Sequence, residues 1–367
     1  MTDPVATPPP PETTPPPAMN DPSALRSFWA SISAVGAKES RWRMRGRRAF
    51  VVVTIYVTLV SLLVYAVYQF MYDQALRMAQ FQSDGIPVDF VSGVVSAQIG
   101  QAIFGAILVL QTVLTIMVAP ALTSGAISVE REKQTLELLI TTPVSTLGLV
   151  IGKLFSSLAY VFLLIAASVP LMSVVFAFGG LAPEDLVRAY VLLVVVAFGI
   201  GSIGLVMSAL VKRTQIATAL SYLVVLGLTI GTLALHTYWM FSTTDQENGF
   251  VRGLRVHDAP EAIMWLNPLA ADLDVVCTGT PESYGFTCQY IALVTHREVV
   301  PPNQMRDAFW PASAASFLIL GIVLTLLTTQ LIAPSRRIWR RKRNRPPPLD
   351  PASEPASSSP VQAEPVA

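Results

Sequence analysis

The densest cluster of ionisable side chains in this sequence is Glu130-Arg131-Glu132-Lys133, with Glu137 one turn further on. Charges of both signs packed into two helical turns suit ion pairing with a partner surface. They suit a solvated connector helix equally well, and both readings stand at this point. Downstream, Gly148-Leu-Val-Ile-Gly152-Lys153-Leu154 resembles a phosphate loop, but it has one residue too few between the glycines. Leu154 also stands where a Ser or Thr must meet magnesium. The motif therefore fails, and no ATP hydrolysis is expected from this chain. His236, His257 and His296 show no metal-ligand spacing. Paired carboxylates, a nucleophile with its base and an HExxH helix are all missing on any plausible intramembrane face. Cys277 and Cys288 are the only two cysteines, and they are too few for a disulfide scaffold. No catalytic residue, metal site or bound cofactor is predicted.

The elements that must carry these residues are apolar. Of 367 residues, 52% are hydrophobic and 13% charged, with a mean hydropathy of +0.53. Soluble domains carry about 25% charged residues, so a soluble enzyme, a disordered protein and a nucleic-acid binder all fit poorly. Six stretches approach the ~20 apolar residues of a membrane helix: 49–72, 100–122, 149–178, 189–211, 215–240 and 312–333. Pro120 is expected to end or kink the second. No cleavable signal peptide precedes the first span, which is read as an uncleaved anchor.

Basic residues orient the spans. Nineteen of the 25 Lys and Arg fall before span one, between spans two and three or four and five, or after span six. The positive-inside rule then places both termini in the cytoplasm of a plasma membrane, in bacteria the inner membrane. The fold class is all-α: six transmembrane helices, N-in and C-in, as one six-helix domain over 49–335. Residues 1–22 and 346–367 hold 16 of the 28 prolines and read as disordered tails. Residues 336–345 read as a basic juxtamembrane segment that anchors on anionic lipid and binds no nucleic acid.

Two further segments lie outside the spans. Within 23–48, Leu25, Phe28, Trp29, Ile32 and Val35 recur at helical spacing beside basic residues. That pattern fits an interfacial helix or a helix packed on a partner protein. The long loop 241–311 holds nine acids and four arginines and is placed outside. In it Asp258 begins a capping-box pattern ending at Glu261, and Asn267-Pro268 breaks the helical periodicity, consistent with a re-entrant hairpin. Cys277 and Cys288, in an oxidising compartment on this topology, are expected to form a disulfide.

The spans contain small residues: Gly199, Gly201, Gly204 and Ser208 in the fourth, Gly227 and Gly231 in the fifth. These allow close helix approach, and Gly227-x-x-x-Gly231 is read as packing within the bundle. Ionisable groups are nearly absent; Lys153 and Arg188 lie near span ends, where snorkelling is expected. Without an acidic or histidine relay, an ion-coupled carrier is disfavoured.

Glu130-Arg-Glu-Lys-Gln-Thr-Leu-Glu-Leu-Leu-Ile-Thr-Thr-Pro143, followed by Gly152-Lys153, resembles the ABC-2 type permeases, the membrane subunits of ATP-binding-cassette exporters. The family pattern reads E-R-E-x-G-T-L-E-x-L-L-x-T-P, and Gln134 replaces its glycine. The resemblance covers about residues 23–340. It implies that Glu130, Arg131, Glu132, Lys133 and Glu137 form a coupling helix docked on a separate ATPase subunit, which binds the ATP and magnesium. It also implies a second permease chain, as homodimer or heterodimer, and export of an unidentified cargo. The apolar spans favour a hydrophobic or lipid-like cargo. The alternative is a multi-pass scaffold or assembly factor that moves no solute.

Overall fold

The computed structural model describes residues 47–81, 88–134, 146–179, 181–242, 261–278 and 309–332. The two tails, residues 23–46 of the expected interfacial helix, the basic segment 336–345, Asp258, Glu137 and Cys288 lie outside them. By its contacts the chain divides into residues 1–331 and 332–367; of the second unit only Ile332 is described.

Among the described residues all regular structure is helical. Helix α1 is Arg47–Phe81, α2 Val88–Thr123, α3 the short Ser128–Glu132, α4 Thr146–Ser173 and α5 Val175–Phe178. Then follow α6 Pro183–Leu210, α7 Thr214–Leu226, a π-helical turn Gly227–Gly231 and α8 Thr232–Ser242. A 3-10 turn, Glu261–Leu266, leads into α9, Pro268–Thr278, and α10 is Phe309–Ile332. Six stretches are long and apolar enough to cross a bilayer: Phe50–Arg77, Val95–Glu132, Thr146–Phe178, Pro183–Leu210, Thr214–Trp239 and Phe309–Ile332. They correspond to the six spans read from hydropathy.

Helix α6 is the core of the bundle. It packs against α2, α4, α7 and α9 and is the most buried of the spans, whereas α1 is the least. Phe50, Ile55, Leu62 and Phe70 of α1 are exposed, as befits a helix whose outer face meets lipid. Close approach to α6 depends on its small residues. A Cβ on Gly204 would lie 2.1 Å from Thr123 Oγ1 and 3.3 Å from the Pro120 carbonyl oxygen. Only hydrogen at that position lets α2 and α6 cross so tightly. Gly227 and Gly231 behave otherwise. A Cβ on either meets nothing within 4 Å, so the expected packing inside the bundle is corrected: this pair faces outward.

Hydroxyls along the spans mostly satisfy themselves on their own helix. Thr54, Thr115, Thr123, Ser221 and Thr325 each donate to the carbonyl four residues earlier, which removes a polar group from lipid without a partner helix. Pro120 does not stop α2 at once. The helix runs to Thr123, and the Ser124 amide donates to the Pro120 carbonyl at 2.9 Å, closing the last turn.

Candidate functional site: a polar joint at one end of the bundle

The four residues after α2 turn rather than extend the helix, and Ser128–Glu132 forms little more than one turn. The short charged helix expected from the sequence is described only as far as Gln134. It closes at Lys133 and Gln134, and Gln134 adopts φ +58°, the left-handed conformation. Non-glycine side chains crowd the following carbonyl there, and glycine does not. The position where this chain departs from the family-like pattern is therefore the one whose backbone favours glycine.

Every polar residue of the turn and of α3 that the structure describes is tied to another helix. The Ser208 hydroxyl, on the last turns of α6, accepts from the amides of Ile127 and Ser128, both at 2.9 Å. Ser124 and Thr218 share a hydrogen bond of 2.7 Å, and the Ser128 hydroxyl donates to Thr214 Oγ1 at 3.1 Å. Arg131 Nη1 donates to the Ala209 carbonyl at 2.9 Å, bringing positive charge to the C-terminal end of α6. Glu132 Oε1 accepts the Thr214 amide at 2.7 Å, bringing negative charge to the N-terminal end of α7. Each charge opposes the partial charge of the helix terminus it meets.

Lys153 completes the joint from α4. Its Nζ donates to Glu130 Oε1 at 2.5 Å and to the Ala126 carbonyl at 3.0 Å. The expected snorkelling is corrected, since Lys153 is only 4% exposed. The ammonium turns inward because an acid and a carbonyl meet it there. Arg188, by contrast, lies at the start of α6 and binds Asp185 Oδ1 at 3.2 Å and Glu184 Oε2 at 3.3 Å. Glu132, Lys133 and Gln134 are exposed, as are Lys212 and Arg213 between α6 and α7. The joint thus has an inner layer, Glu130, Arg131, Lys153 and Ser208, and an outer rim of mostly charged side chains.

Sequence reasoning grouped Glu130 through Lys133 as one surface and missed their division. It also missed Ser208 as a cap and Lys153 as the partner of Glu130. The signal was present in part, because a lysine at the start of an apolar helix requires an anion or an exit to water.

A second polar cluster lies towards the other end. Asn267 breaks the chain between the 3-10 turn and α9, as the sequence suggested. Its Oδ1 accepts the amides of Leu269 and Ala270, capping α9. Its Nδ2 donates to the Thr229 carbonyl at 2.9 Å inside the π-helical turn. Asp274 Oδ2 accepts the Trp310 amide at 2.9 Å, and Gln101 Nε2 donates to the Val276 carbonyl at 2.9 Å. Helix α9 is therefore packed into the bundle against α2 and α6. Cys277 is buried near its end; Cys288, its expected partner, lies outside the described residues. No group of three or more His, Cys, Asp or Glu able to hold a metal occurs among the described residues.

Over residues 33–329 the sequence matches the family described as ABC-2 family transporter protein. That interval includes the whole joint and nearly all of the six spans. A comparison with curated proteins finds no match. Proteins of the matched family are membrane components of transport and normally work with an ABC ATPase subunit.

Proposed function

Because the chain belongs to the ABC-2 transporter family, we propose that it is the permease subunit of an exporter. Its cargo leaves the cytoplasm on energy from ATP hydrolysed, with magnesium, by a separate subunit. The observation that carries this reading is the joint. A short segment with an exposed charged rim is held by hydrogen bonds and an ion pair to α4, α6 and α7. A push on the rim reaches three membrane helices at once, which is what a motor docked outside the bilayer needs. The rim residues Glu132 and Lys133, with Glu137 beyond them, are the contact surface for the ATPase. Glu130 and Arg131 act beneath it, holding the segment to the bundle.

The distribution of Lys and Arg supports a cytoplasmic joint and cytoplasmic termini. On that topology the loop 241–311 is outside, and a Cys277–Cys288 disulfide would tether the chain leaving α9 to the loop beyond it. The outward-facing Gly227 and Gly231 supply a flat strip on which a second permease chain can pack closely. A hydrophobic or lipid-like cargo fits the scarcity of charge in the spans.

Paired reversal, Glu132→Lys with Lys133→Glu, tests the docking surface by co-purification with the ATPase. The reading expects the ATPase to be lost while the permease stays folded. Full retention of the ATPase and of export would overturn the assignment and favour the scaffold alternative.

A further inference from the structure

Helix α9 carries a carboxyl that the joint and the helix caps do not use. Asp272 is 0% exposed, and neither of its oxygens makes a hydrogen bond. Opposite it on α2, Thr112 is also 0% exposed, with its hydroxyl unbonded. Among the described residues, the Thr112 hydroxyl lies near enough to favour the ionised carboxyl, though the two stop short of hydrogen-bond geometry. Packing around them is close: a Cβ on Gly105, two turns earlier on α2, would lie 3.2 Å from Val276.

The surroundings offer no described counter-charge. Helix α2 has no Asp, Glu, Lys, Arg or His after Asp89, and α10 has none. On α6 the charged residues are Glu184, Asp185 and Arg188, engaged with one another at its start; Tyr190 follows, bonded to Ser168. On α9 itself Asp274 accepts the Trp310 amide. His236 is on α8, which packs on the 3-10 turn. Burial pushes the Asp272 carboxyl well above the usual carboxylate range, and Thr112 opposes that only in part.

An ionised carboxylate cannot stay in such a place without a cation or several donors. We propose that Asp272 is a proton-binding site that latches α9 to the bundle. The carboxyl is protonated while α9 lies against α2 and α6, and it releases that proton to water when they part. Nothing larger than a proton is needed to balance the charge in this packed state. Closure of α9 then takes up one proton and opening gives one up, so acid favours the closed arrangement.

The test uses the full chain in lipid nanodiscs, without an ATPase, so its outcome is independent of the exporter reading. Infrared spectra at neutral pH should show a protonated-carboxylic-acid band that Asp272→Asn lacks. Hydrogen exchange over residues 268–278 should then rise with pH in the wild type relative to Asp272→Asn, which corrects for base catalysis. Between the pH at which the water-exposed carboxyl ionises and the pH at which the packed one does, that ratio should grow about tenfold per pH unit, and it should level off above the second. Should the Asn variant fail to fold, Thr112→Val decides. Loss of the hydroxyl should carry that rise to higher pH before it levels off. No band difference, a ratio independent of pH, or a rise that levels off at the same pH in Thr112→Val would each overturn the proposal.

Discussion

An ammonium group that is 4% exposed among apolar helices persists because its charge is met at once, here by Glu130 and the Ala126 carbonyl. Removing one partner of such a pair leaves the other desolvated and uncompensated. Lys153→Met should therefore lower stability by about 3 kcal/mol, read as a fall in thermal midpoint of the full chain in nanodiscs. An unchanged midpoint would show that Glu130 finds another partner. Gln134 makes the opposite case. At φ +58° a glycine relieves crowding, so Gln134→Gly should stabilise by up to about 1 kcal/mol, and Gln134→Val should destabilise. The charges of this segment were legible in the sequence, but their directions were not. Glu130 and Lys153 are 23 positions apart, and only the fold brings α4 against the turn that follows α2.

Among elements, the crossing of α2 and α6 fixes the joint, because it sets Ser208 and Ala209 beside the segment that leaves Thr123. Gly204→Ala should force Thr123 and the Pro120 carbonyl away, costing about 1–3 kcal/mol as overpacking does. Gly231→Ala meets open space and should leave the monomer's thermal midpoint unchanged. If both substitutions behave alike, the close approach at Gly204 is not what holds the crossing. Hydropathy gave away the six spans, since an 18-residue apolar run carries its own signal. It could not reveal which glycines face inward, because small residues at four-residue spacing look the same on either face. The π-helical turn at Gly227–Gly231 was also hidden; it is matched to Asn267, a residue 38 positions from Thr229.

For the whole molecule, membership of a family whose members normally work with an ABC ATPase subunit points to a second chain as the motor. On the proposed reading, the joint offers that chain a rim to act on and helices to move. The family match over residues 33–329 agrees with an assembly of permease and ATPase, and the outward strip at Gly227 and Gly231 suits a second permease. The most direct measurement is a mild-detergent purification of the tagged full chain from its native membrane, followed by an assay for vanadate-sensitive ATP hydrolysis. A co-purifying ATPase in stoichiometric amount, with hydrolysis lost in the Glu132→Lys/Lys133→Glu variant, is the predicted result. A stable complex that contains no ATPase and hydrolyses no ATP would contradict the account.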